Sequence, residues 1–316
     1  MVVSASFHSI VLRLEALGPG ELAGMETGYW LYSWLCGQLR PEDSPGQACL
    51  APSADDTSEG PQGWHDSRAL ALSPLLLPDD PTVATEISVG ATYVARLTFL
   101  QAAAYEQWRT AVWPRCESGS IRLGPHLFLA IAWTDDPAVH PLAQRSTADD
   151  IIQWGQQHAG EALTLRFLTP TFLKFTYWPT GSIATRTAAP IDLEVLFPEP
   201  HRLVGNLARR WQEVAPAGLA LPADLIELVQ HTTVLSRYEL RTEAVRTKVP
   251  GRGFTGWATY RCLAPLPEAQ AILATLWRFA TFCGVGSKTS MGMGLTQLLS
   301  AGNPIRPEHA ASLRSS

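Results

Sequence analysis

The 316-residue sequence has no apolar run approaching the roughly 18 residues that span a bilayer, and no charged-then-apolar leader opens it. No membrane association is expected, and the cytoplasm is the expected compartment. Its five cysteines, Cys36, Cys49, Cys116, Cys262 and Cys283, include no C-x-x-C pair and are odd in number. They read as reduced thiols rather than as a disulfide framework or a zinc site, so neither metal nor cofactor is expected. Charge is sparse, at 17% of residues with a net of −5. That excludes a protein coated in basic charge, although a local basic patch is enough to neutralise phosphates. Two familiar glycine motifs are also missing. A P-loop needs Gly before its Lys, and Lys288 follows Ser287. A dinucleotide fingerprint would need Gly at 289, where Thr289 stands.

With 46% hydrophobic residues the chain reads as globular, and its length allows two domains of ordinary size. Its most informative stretch runs from Phe279 to Leu295, where an apolar helical segment opens into a loop holding Gly284, Gly286, Gly292 and Gly294 around Ser287, Lys288, Thr289 and Ser290. Glycine lets backbone approach a ligand with no Cβ in the way. Such a loop can aim several N–H groups at an anion. A set of tight turns with no ligand fits the spacing equally well. Arg237, Arg241, Arg246, Lys248 and Arg252 form a basic patch, read either as a nucleic-acid grip or as the solvated face of a long hairpin.

Periodicity gives the order of elements. Ser9 to Glu15 alternates as a half-buried strand, and Leu22 to Arg40 carries Leu31, Leu35 and Leu39 at helical spacing. Pro41 to Gly63 reads as a long loop. Strands are expected at 68–77, 91–100 and 121–133, with a helix over 101–113 and a further helix over 148–157. The second half repeats the order: strand 163–173, helix 201–214, strands 234–248 and 255–263 joined by a glycine turn at Gly251 and Gly253, helix 267–283, and a closing strand 295–299. Strand, helix, strand, strand, helix, strand is the split arrangement of ferredoxin-like domains. The expected fold is α+β: tandem ferredoxin-like (RRM-like, βαββαβ) domains over 1–159 and 160–316, the second carrying the glycine-rich loop.

The string Gly284-Val-Gly286-Ser-Lys-Thr-Ser290-Met-Gly292-Met-Gly294 resembles the C-terminal loop of the RAMP superfamily of CRISPR-associated RNA-binding proteins. Three stretches bring the resemblance closest to the precursor-RNA endoribonucleases of the Cas-six type. These are Trp64 to Leu75, with His65, Arg68 and Ser73-Pro74-Leu75; Phe167 to Lys174; and Gly253-Phe254-Thr-Gly256. The resemblance implies metal-independent cleavage of CRISPR repeat RNA, leaving a 2′,3′-cyclic phosphate and a 5′-hydroxyl, and hence mature crRNA.

On that resemblance His65 takes the place of the catalytic histidine and Arg68 that of a basic residue beside the scissile phosphate. Relatives often add a tyrosine from the first helix. Cys36 occupies that position here, and Tyr32 is the nearest substitute. Lys288, Ser287 and the four loop glycines, with Arg241, Arg246, Lys248 and Arg252, are the expected RNA contacts. A Cas effector complex or a second copy is a further possible partner. A non-catalytic crRNA-binding RAMP subunit is the alternative function, and a nucleotide-binding enzyme using Lys288 the more distant one. His8 reads as a satisfied sheet-face histidine. His126, His140, His201 and His231 have no motif context.

Overall fold

The computed structural model describes residues 5–22, 25–38, 69–117, 119–177, 191–245 and 251–299. The first half runs β1 (Ser6–Ala16), β2 (Gly20–Glu21), α1 (Glu26–Gln38), β3 (Leu70–Leu72), β4 (Glu86–Ile87), β5 (Thr92–Phe99), α2 (Ala102–Gln107), α3 (Trp113–Glu117), β6 (Ser120–Leu123), β7 (His126–Thr134), β8 (Gln144–Thr147) and α4 (Ala148–Gln157). The second half runs β9 (Leu163–Thr171), β10 (Leu173–Tyr177), β11 (Ile191–Val195), α5 (Pro200–Val214), α6 (Ala223–Thr232), β12 (Thr233–Val245), β13 (Gly251–Cys262), α7 (Pro267–Cys283) and β14 (Thr296–Leu299).

Each half builds an antiparallel sheet around the strand that opens it. The first has the order β3-β5-β1-β7-β6 with β8 on the end of β1, and the second β12-β13-β9-β14. Both are the ferredoxin-like order, and the fold is a tandem pair. In β1 the alternation of residues works as expected: Ile10, Leu12 and Leu14 are buried with Leu31 and Leu35 of α1 and with Trp108. Burying each such side chain stabilises the fold by about 1.5–3 kcal/mol.

The halves are not separate beads. Phe7, at the start of β1, reaches the second core, with ring centroids 5.6 Å from Phe279 and 5.9 Å from Phe282. Ala148 and Ile151 of α4 belong to that same core. Val11 and Val94 of the first sheet cluster with Leu295 of the second half. Helix α7 lies at the junction and is buried almost all round.

Several elements differ from the periodicity reading. The strand expected over 121–133 is the hairpin β6–β7, turned at Gly124-Pro125 with Gly124 at φ 58°. The strand expected over 68–77 keeps regular pairing only at Leu70–Leu72, followed by an isolated bridge at Leu76. Gly251 and Gly253 lie within β13, not in the turn before it. A Cβ on Gly253 would meet the Thr171 backbone, so close packing of β9 and β13 requires that glycine. The hairpin β10–β11 and helix α6 were not anticipated. They lie where short apolar stretches carry no clear period.

Candidate nucleic-acid interface

The glycine loop leaves α7 at Gly284 and returns at Leu295, between the two halves. A Cβ on Gly28 of α1 would collide with the Met291 carbonyl, and one on Gly292 would lie 2.9 Å from the Pro74 nitrogen. The loop is thus wedged between α1, the chain after β3, and Phe172. Gly286 (φ 85°) faces the Phe172 carbonyl and Gly294 (φ 64°) the Val285 carbonyl, both too closely for any side chain. These glycines serve close approach of backbone to backbone.

That geometry corrects the expectation of a loop with its amides aimed at an anion. Val285 N–H donates to the Gly294 carbonyl at 2.9 Å, Ser287 N–H to the Phe172 carbonyl at 2.9 Å, and Gly294 N–H to the Pro170 carbonyl at 3.0 Å. Gly286 N–H donates to Asn206 Oδ1 at 3.1 Å, and Leu295 N–H to Thr169 Oγ1 at 2.9 Å. These donors already have acceptors inside the protein. Gly284, Gly286, Gly292 and Gly294 are buried, whereas Ser287 and Lys288 are half-exposed. Lys288 is left-handed at φ 59°, with its Nζ 5.3 Å from the Phe172 ring centroid.

Two buried arginines, one from each half of the chain, hold the end of α7. Arg210 of α5 donates from Nη1 to the Cys283 carbonyl at 2.7 Å and to Thr289 Oγ1 at 2.9 Å. Arg96 of β5 donates to Ser9 Oγ at 2.6 Å and to the Thr281 carbonyl, which also accepts from Gln144 Nε2 at 2.9 Å. Burial pulls the Arg96 guanidinium down to about 9, so it is still charged at neutral pH. Cations at a helix C-terminus meet its negative dipole end favourably. The sequence reading missed both residues. The signal for Arg210 was its position: it stands seven residues after Leu203 on the buried stripe of an amphipathic helix.

His65, Arg68, Arg246 and Lys248 lie outside the described residues. Ala69, four residues after His65, leads into β3, which packs against the turn Thr289–Met291 of the glycine loop. Tyr32 is half-buried against the first core, one helical turn beyond Gly28 on the stripe of α1 that faces the loop. Cys36 continues that stripe and is buried.

The basic patch divides. Arg241 Nε lies 2.8 Å from Glu243 Oε1 and 3.2 Å from Thr255 Oγ1. Arg241 pairs in register with Thr255 whereas Arg252 pairs with Ala244, so the two arginines point to opposite faces of the hairpin. Arg252 is exposed, and its backbone N–H donates to Glu194 Oε2 at 3.2 Å.

His8 departs from its expectation. It stacks on Tyr105 at 3.8 Å between ring centroids, and its Nδ1 is buried without a hydrogen-bond partner. His201 and His231 tilt against each other at 5.4 Å, and His126 against Trp30 at 5.8 Å. Burial holds His140 below the ordinary histidine value.

Two ferredoxin-like sheets locked together through a glycine loop define the class. A family model described as CRISPR-associated endoribonuclease Cas6 matches residues 165–296. A direct search of curated protein sequences gives no match. Among solved structures, a Cas6 product complex is 26% identical with TM-score 0.65, covering 93% of this chain and 100% of its own. A Thermus thermophilus Cas6 is 24% identical with TM-score 0.61 over 95% of this chain and 100% of its own. A Cas6-related protein from Pyrococcus furiosus shares the fold at 12% identity and TM-score 0.52, over 93% and 99%. The chain is thus similar to Cas6-type CRISPR-associated proteins, through the family model over its second half and through the fold over nearly its whole length. No helix among the described residues is long and apolar enough to cross a membrane.

Proposed function

We propose that this protein is an endoribonuclease that cuts CRISPR repeat RNA within precursor transcripts to release mature crRNA. The observation that carries this reading is the likeness, over 93% of the chain at 26% identity, to a Cas6 captured with its product. The glycine string at 284–294 agrees with it.

The chemistry is attack of a 2′-oxygen on the adjacent phosphorus, with the P–O5′ bond breaking. The 2′-hydroxyl proton passes to a base, and an acid returns a proton to the leaving 5′-oxygen. The products are a 2′,3′-cyclic phosphate and a 5′-hydroxyl, and no metal takes part. His65 takes one of the two proton transfers, since imidazole titrates near neutral pH. Arg68 steadies charge on the phosphate in the transition state. Tyr32, on the stripe of α1 facing the glycine loop, is the second proton-transfer group. Ser287 and Lys288 meet the RNA from the loop, and Arg246, Lys248 and Arg252 grip the repeat stem, whose A-form groove is met through shape and phosphate. Arg241, on the opposite face of the hairpin and paired with Glu243, is left out of that grip. The chain divides at 159/160, with α4 strapping the first unit to the second.

The test is cleavage of labelled cognate repeat in EDTA, read together with binding. Wild-type protein should cut, and His65→Ala should bind and not cut. Binding without any cut by the wild type would replace this reading with a non-catalytic crRNA-binding subunit.

A further inference from the structure

The helices of the second half cover one face of its sheet; on the other face Leu168 packs against Val11, Leu76 and Val94 of the first half, and the rest of that face is left open. On that open face the register sets Glu239, Trp257, Arg166 and Gln297 side by side across β12, β13, β9 and β14. The next row is Arg237, Thr259, Thr164 and Leu299, its two threonine hydroxyls 2.8 Å apart, and Arg261 pairs with Val234 beyond it. Leu165 and Phe167 point the other way, into the core, as strand alternation demands.

Charge on this face does not cancel. The Arg241 guanidinium is committed to Glu243. Arg166, Arg237 and Arg261 make no ion pair among the described residues, and one carboxylate, Glu239, stands in the two rows against the three of them. Within these rows sits a single aromatic. Trp257 is half-exposed, with its Nε1 buried and lacking an acceptor. Other tryptophans near the joint are used elsewhere: Trp277 is fully buried, and Trp30 and Trp34 pack on the first core.

We propose that this face binds a single-stranded run of RNA, with one base stacked on Trp257 and the sugar–phosphate chain lying along Arg166, Arg237 and Arg261. The proposal rests on the RNA-processing reading and adds where unpaired RNA goes. Charge complementarity selects a polyanion. The aromatic selects an unpaired strand, because bases within a duplex are stacked on each other and offer no face. Neighbouring strands lie about 4.8 Å apart, so Arg166 directly flanks Trp257 while Arg237 and Arg261 continue the track diagonally. An arginine-lined track with an aromatic platform is how single strands are held without sequence readout.

The test uses the full chain, a labelled oligouridylate as structureless probe, and the cognate repeat hairpin as control. Trp257→Ala should weaken oligouridylate binding about tenfold or more, and Trp257→Phe should restore it to within about threefold, since stacking on any ring suffices. Each of Arg166→Ala and Arg261→Ala should lower the salt slope of oligouridylate binding by about 0.7. Hairpin cleavage by these variants should stay near wild type, and matching thermal unfolding curves check folding. Oligouridylate binding unchanged in Trp257→Ala, or absent in the wild type, overturns the proposal. So does a loss confined to the hairpin, which would assign the face to duplex phosphates. Failure of the RNA-processing reading is separate: wild-type protein would then leave the hairpin uncut, whatever its oligouridylate binding.

Discussion

Arg210 Nη1 lies 2.9 Å from Thr289 Oγ1 while also holding the Cys283 carbonyl at 2.7 Å, so one buried cation fixes both the end of α7 and the turn inside the glycine loop. Arg210→Met keeps the volume and removes both bonds. Hydrogen bonds to a charged group contribute about 1.5–3 kcal/mol each, and buried acceptors left without a donor cost a similar amount. Urea unfolding should register a loss of about 2–3 kcal/mol. An unmoved midpoint would show that the clamp contributes nothing.

The loop glycines can be separated from glycines that merely tolerate left-handed backbone. Gly90 has φ 74° with nothing within 4 Å of an added Cβ, whereas Gly294 has φ 64° and faces the Val285 backbone. Gly90→Ala should cost about 1 kcal/mol from conformation alone. Gly294→Ala should cost that plus a backbone collision, about 3 kcal/mol or more in total. Equal losses in urea would refute the packing role given to the loop.

The proposed proton-transfer groups have distinct signatures in single-turnover cleavage. His65→Ala should slow the step by about a hundredfold or more, the usual scale for a positioned acid or base. Tyr32→Phe keeps the ring against the first core and removes only the hydroxyl. A fall of similar size with unchanged RNA affinity supports its role, and an unchanged rate removes Tyr32 from the mechanism.

Acid should weaken the fold through His8. Burial holds its pKa below the ordinary 6.5, with Asp135 and Glu106 opposing the shift and Arg145 adding to it. The unfolded chain therefore takes up a proton near pH 6.5 while the native state takes it up lower. The stability contribution is complete above pH 6.5 and is lost as pH falls through and below that value. Urea midpoints at about pH 7.5 and about pH 5.5 should differ less in His8→Phe than in the wild type. A greater difference in the variant would reverse the assigned sign.

Much of the architecture was legible because period-2 and period-3.6 patterns survive where an element is amphipathic. Helix α7 came out as Pro267–Cys283, both as read and as observed, and β1 extends only a few residues beyond its alternating segment. Elements without a clear period were lost: β10, β11 and α6 are short, and Gly124-Pro125 was read through rather than taken as a turn. The glycine loop failed differently. A glycine string looks the same whether the close neighbour is a phosphate or another stretch of backbone. Here Phe172 and Pro74, distant in sequence, are what the loop approaches. Arg210 carried a signal in its place on the buried stripe of α5, but nothing in a linear string says that its guanidinium, or that of Arg96, will end on a helix carbonyl instead of in water.

That same helix end carries a lesson for anyone dissecting the molecule. Thr281 is held by Arg96 and Gln144 from the N-terminal sheet, and Cys283 by Arg210 from the C-terminal unit. A cut between the units would strand acceptors in one fragment and an uncompensated cation in the other. Melting should accordingly proceed as one calorimetric transition, and either fragment expressed by itself should resemble a molecule with an open wound rather than a free-standing module.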